Sequence, residues 1–237
     1  SGALTGTGNA SFTFAGQTQV GANITTANQA ITFNLASTST AASVMDAGTG
    51  TVTLTSTYGA GANPLTVAAG ELEIGGALSG TSTLAIRGGT AATPIVLAGT
   101  TAGGQLDLSA TEISRISSGF SAVTIGSNAQ TANTTVAASV SFLSPVTFDT
   151  GSGVIAVDAP LSGTGFTFDG PTALAEDISS TSIDVTFNNP VTVSGSRLVT
   201  ATSAIIDVNS TVALGGGSLT LRSNNINLDG GANSVSG

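Results

Sequence analysis

The chain has 237 residues, of which 7% are charged and 4% aromatic, with no Cys, His, Trp or Lys and a net charge of −9. Without Cys or His it can carry no disulfide, no thiolate zinc site and no Ser–His–Asp or Cys–His nucleophile. With Arg87, Arg115, Arg197 and Arg222 as its only cationic side chains, it lacks the basic cluster that a nucleic-acid backbone requires.

Gly, Ser, Thr and Ala fill the space between short apolar runs, but 40% of the residues are hydrophobic and they alternate, which favours order over a low-complexity coil. From Ser11 the alternation marks strands at Phe12–Phe14, Ile31–Phe33–Leu35, Val52–Leu54, Leu65–Val67, Leu72–Ile74, Leu84–Ile86 and Ile95–Leu97. Clusters such as Gly59–Pro64 supply the turns between them. The recurrence at steps of roughly 20 residues, with further short strands inside each step, predicts a β-solenoid of about three strands per coil. An immunoglobulin-like array would instead show a period near ~100 residues and a buried aromatic per domain.

One segment departs from this rhythm. After a strand at Leu106, Ser109 and Glu112 form a capping-box pair, Ile113 and Ile116 share a face, and Gly119 can end the turn, so a short helix is predicted at 110–118 with Phe120 beneath it. Residues 127–138 read as a Ser-, Asn- and Ala-rich loop. Strands resume at Val140–Phe142, Val146–Phe148 and Val154–Val157.

A long internal repeat spans these elements. Residues 17–76 return at 171–230 with a fixed offset of 154, so that Ile24 falls on Ile178, Phe33 on Phe187, Val52 on Ile206, Leu72 on Ile226 and Ile74 on Leu228. At a coil spacing of about 4.8 Å the offset should cover roughly seven to eight coils. The whole of 1–237 reads as one elongated solenoid, part of a longer array, and a chain that opens at Ser1 without a leader reads as a processed product or an excised portion.

The stretches TEISRISSGFSAVTIG (111–126), VSFLSPVTFDTGSGVIAVDAPLSGTGFTFDG (140–170) and LTGTGNASFTF (4–14) resemble the long repeats of very large bacterial surface and secreted proteins of the filamentous-haemagglutinin type. That resemblance implies a right-handed parallel β-helix, export to the cell surface, and adhesion or filament formation in a surface or biofilm matrix. It carries over no functional residue, because the shared motifs are structural.

The chemistry on offer is carboxylate chemistry. Asp107, Glu112, Asp149, Asp158 and Asp169 are scattered, while Glu71 and Glu73 lie on one side of one strand, where an acid and a base could act on a glycoside. The missing aromatic platforms argue against that, and lyase chemistry lacks its cations, so no catalytic, cofactor or metal-site residue is assigned and no enzyme is expected. Glu176, Asp177, Asp207 and Asp229 are the candidates for a calcium ion held with turn carbonyls, although the Gly-Gly-x-Gly-x-Asp repeat is absent. Thr51, Thr53 and Thr55, with Thr81 and Thr83, could seed an ice-binding array but read better as a solvated strand face. The expected role is therefore an extracellular filament subunit or adhesin stalk that associates with itself; a carbohydrate-binding adhesive module is the alternative, and a polysaccharide-degrading enzyme a remote one. Cell-surface polysaccharide is the other expected partner. Neither nucleic acid nor membrane insertion is expected, since no apolar run approaches the ~18 residues of a spanning helix.

Overall fold

The computed structural model describes residues 2–100, 103–230 and 235–236. It is a parallel β-solenoid of about eleven turns with one short helix. Each regular coil lays down three strands, one on each of three faces, and every strand pair is parallel and mostly in register with the coil before it. Along the second face the partners Phe12, Ile31, Val52 and Leu72 follow one another at steps of 19, 21 and 20 residues, the rhythm that the sequence carries.

The first face is an unbroken ladder. It runs through Leu4–Thr5, Ile24–Thr25, Ser43–Asp46, Leu65–Ala69, Thr83–Gly88, Ala122–Gly126, Val146–Asp149, Phe166–Asp169 and Val185–Phe187 into the later halves of Ser196–Val208 and Ser218–Leu228. The second face is in two parts, Phe12–Phe14 to Glu71–Ile74 and then Leu106–Leu108 to Val235–Ser236. The third face begins with Thr18–Val20, Ser37–Ser39, Tyr58–Gly61 and Leu78–Gly80, crosses a single bridge from Leu78 to Ile116, and resumes at Val140–Phe142.

Period-2 alternation turns one row of each strand inward, and stacking of successive coils makes the core. Inward residues such as Ile31, Phe33, Val52, Leu72, Ile125 and Phe168 are at most 1% exposed. Like sits on like: Phe14 stacks on Phe33 with centroids 4.6 Å apart, and Phe168 lies between Phe148 at 5.4 Å and Phe187 at 4.7 Å. Each fully buried ring removes enough apolar surface from water to contribute about 2–3 kcal/mol. Part of the interior is polar but paired. The Tyr58 hydroxyl hydrogen-bonds Ser39 Oγ at 2.9 Å, which in turn meets Ser43 Oγ at 3.3 Å.

Corners are tied by side chains as well as backbone. Asn23, Asn28, Asn133, Asp177 and Asp184 each accept, through Oδ1, the amide of a residue 21 positions on, namely Val44, Thr49, Val154, Leu198 and Ile205. An outward Asn/Asp row does the same along one edge, with Asn209 donating to Asn188 and Asn188 to Asp169. Gly70 is required at its corner: a Cβ there would stand 2.3 Å from the carbonyl oxygen of Thr49 in the coil below.

Several expectations are revised. The helix spans Ala110–Arg115 and not 110–118, because Ile116 turns extended to bridge Leu78, which ends the helix before Gly119 is reached. Leu35 is 49% exposed: the strand stops at Phe33 and the chain turns the corner, so the apolar alternation overruns the strand. Within 127–138, Thr134–Val136 is a strand whose inward residues are Thr134 and Val136, and the third face mixes inward Ser37, Ser39, Gly163 and Ser180 among its apolar residues, positions that hydrophobic alternation does not reveal. The 154-residue repeat also differs from a pure axial shift. Ile24 is on the first face and Ile178 on the third; Phe33 is on the second and Phe187 on the first. The second copy is thus turned by one face, and the offset covers somewhat fewer than seven coils because the irregular fifth coil uses up extra chain.

Candidate functional site

The second-face interruption is where charged side chains gather. After strand Ile95–Leu97 the chain does not go on to the third face but doubles back, laying Leu106–Leu108 parallel beside Ile95–Leu97 on the side toward Glu71–Ile74. Helix α1 (Ala110–Arg115) follows and packs against both Glu71–Ile74 and Val140–Phe142. The strand Glu71–Ile74 therefore meets no regular ladder on this side, and its amides would be buried donors without acceptors.

Side chains supply what the backbone does not. Glu71 accepts the amide of Leu72 at 3.0 Å and also the amide of Asp107. Glu112 Oε1 accepts the amide of Ile74 at 2.9 Å, while its Oε2 accepts the amide and hydroxyl of Ser109 at 2.9 and 2.7 Å. Ser109 Oγ in turn accepts the amide of Glu112 at 3.2 Å, completing the capping box that the sequence predicts. The Arg115 guanidinium donates to the carbonyl of Ile74. One carboxylate thus caps a helix and a sheet edge at once.

Beside this seam lies a cavity of about 290 Å³ at the corner that leads into the second face, with Thr49, Gly70, Glu71, Thr93, Gly104 and Gln105 in its wall. Burial pushes the Glu71 carboxyl up to about 7, against the opposing pull of its two backbone hydrogen bonds, with the negative charges of Asp107 and Glu73 adding to the rise. Asp107 is 3% exposed; its Oδ2 accepts from Gln105 at 3.4 Å, and its Oδ1 is buried with no hydrogen-bond partner. Burial raises its pKa as well, and the nearby Glu112 adds to the effect. Near neutral pH Glu71 is poised between its two protonation states, which is what a proton donor or acceptor needs.

Of the carboxylates noted in the sequence, the fold brings Glu71, Glu73, Asp107 and Glu112 together. Asp149 and Asp169 are register partners at a corner of the first face, where burial raises the Asp149 pKa. Asp158 stands exposed after Ile155–Val157. The calcium candidates have partners within the protein: Asp177 accepts the amide of Leu198, Glu176 lies 3.6 Å from Arg197, Asp229 accepts from Asn227, and Asp207 accepts from Asn209 through Oδ2 while its Oδ1 is buried without a partner. Among the described residues no group of three or more carboxylates is placed to hold a metal ion. Thr13, Thr32 and Thr53 form one outward column that ends on Glu73, and Thr124, Thr147, Thr167 and Thr186 form another whose neighbouring column runs through Asp149, Asp169 and Asn188, so among the described residues these columns are not paired into a threonine array.

The meeting of Glu71 with Asp107 has no signal in sequence spacing, because it depends on a strand being laid down against chain order. The capping box at Ser109 and Glu112 is the nearest clue.

Fold and site together define a parallel β-solenoid with a side-chain-sealed seam. No known protein family, characterised protein or solved structure matches this chain. No helix among the described residues is long and apolar enough to cross a membrane.

Proposed function

We propose that the chain is a structural rod of the bacterial cell exterior, a stalk or filament subunit that sets distance and associates with itself. The unbroken first-face ladder carries this reading: about eleven coils at ~4.8 Å give a stiff body roughly 50 Å long. The resemblance of its sequence to large bacterial surface proteins supplies the location.

Self-association is supported by the last coil. Ile226 and Leu228 stack in register on the buried Ile206 and Val208 yet remain 41% and 49% exposed, so they are core positions awaiting a further coil. Leu4 at the opposite end is 40% exposed on the first strand of the same ladder. A coil of a second copy stacked in the same parallel register would cover these residues, a head-to-tail contact that grows a filament. Electron microscopy and sizing over a concentration series test this: rods that lengthen in steps of about 50 Å are expected. Uniform single particles at every concentration would overturn the self-association.

A second reading rests on a separate feature. A trough of about 560 Å³ on the third face is lined by uncharged hydrogen-bonding side chains, among them Gln17, Thr18, Gln19, Thr38, Thr57 and Ser79. Hydroxyls and amides without charge suit a neutral glycan, which makes a carbohydrate-binding adhesive module the alternative. Binding on a glycan array that is lost in Thr38→Trp would favour it over pure scaffolding.

A further inference from the structure

We propose that the seam between Glu71–Ile74 and Leu106–Leu108 is a proton-responsive joint, closed when Glu71 and Asp107 are protonated and loosened when they ionise. The geometry comes first. Four carboxyls, Glu71, Glu73, Asp107 and Glu112, converge on a stretch where the second face has no strand-to-strand ladder, and the nearby cation, Arg115, is turned to the Ile74 carbonyl. The flanking strands Thr51–Leu54 and Ile95–Leu97 bring no ionisable side chain to the seam. Asp107 has a buried oxygen with no donor, so a negative charge there is uncompensated, whereas a protonated carboxyl tolerates the site.

The direction follows from linkage. The Glu71 carboxyl has an ordinary value of 4.5 and stands at about 7 in the fold, so the proton is held more tightly when the seam is closed. Its contribution to seam stability is fully present below about pH 4.5 and is lost as pH rises through about 7. Asp107 is shifted the same way. Mild acid tightens the joint and mildly alkaline conditions free residues 103–116, while the first-face ladder keeps the rod whole. Such a device lets a rod stiffen or relax at one defined coil.

Arg115 provides the readout. The chain has four Arg and no Lys, and the Arg115–Ile116 bond ends helix α1, where its side chain is engaged. Limited trypsin digestion of the full chain at pH 6 and pH 8.5, normalised to a free peptide with an Arg-Ile bond in the same tube, reports opening of the seam. Cleavage at Arg115 is expected to rise roughly three- to tenfold between the two pH values. In Glu71→Gln, and independently in Asp107→Asn, the rise should shrink, and in the double variant it should vanish, with unchanged circular dichroism showing that the solenoid is intact. A wild-type rate that is flat or falls with pH overturns the proposal, as does a full rise retained in the double variant.

Discussion

The first and second faces are made by the same chain in the same coils, yet only the first is continuous. On the first face every junction between coils is a backbone ladder, and the side chains merely fill the interior and decorate the surface. On the second, one junction is made by Glu71, Glu112 and Arg115, which accept from and donate to the backbone groups that a neighbouring strand would have paired. Backbone ladders tolerate almost any outward residue. A junction made of side chains depends on each of them.

That contrast can be broken at graded depth. The largest effect is expected in the core of the unbroken ladder, where Phe168→Ala removes a ring that is 0% exposed and stacked on both sides. Urea unfolding should show a loss of about 3–5 kcal/mol. Next comes Glu112→Ala, which strips the acceptor from the Ile74 amide and from the amide and hydroxyl of Ser109, while Ser109 Oγ still caps α1; the lost hydrogen bonds suggest a loss of about 2 kcal/mol, with Glu112→Gln losing less. Asn23→Ala removes one exposed corner tie to Val44 and should cost about 0.5–1 kcal/mol. Breaking the Glu176–Arg197 pair with Glu176→Gln should change the unfolding midpoint hardly at all, since both side chains are partly solvated and such pairs contribute below about 0.5 kcal/mol. A chelator should leave the midpoint where it is, because among the described residues Glu176, Asp177, Asp207 and Asp229 do not come together in a group that could hold an ion; a clear drop would restore the calcium reading.

Much of the architecture is legible in the sequence because the core residues announce themselves. Phe12, Phe14, Ile31 and Phe33 alternate with threonines, and only a strand puts such residues on one side. The ~20-residue step follows from stacking them. What stays hidden has one physical cause: hydrophobic alternation is silent where small or polar residues point inward. Ser37, Ser39, Gly163, Thr134 and Ser180 are strand residues on inward rows, and their hydroxyls and small volumes are satisfied inside a narrow coil. Leu35 misleads in the opposite sense, continuing an alternation past the point where the chain bends. The Ser109 and Glu112 pair predicts helix α1 and its start, whereas its end is set by Ile116 pairing with Leu78, a partner 38 residues away. The acidic seam is legible as single residues but not as a site, since proximity of Glu71 to Asp107 arises from a strand placed out of chain order. The 154-residue repeat can return rotated because all three faces turn an alternating inward row toward one shared core.

Residue-resolved amide hydrogen exchange on the wild type and Glu112→Ala tests most directly whether the seam is held by side chains while the rest is held by ladders. Faster exchange is expected in the variant at Ile74 and through residues 106–116, with unchanged rates in Ala122–Gly126, Val146–Asp149 and Phe166–Asp169. An Ile74 amide that is unaffected by the substitution, or a uniform acceleration along all strands, would contradict it.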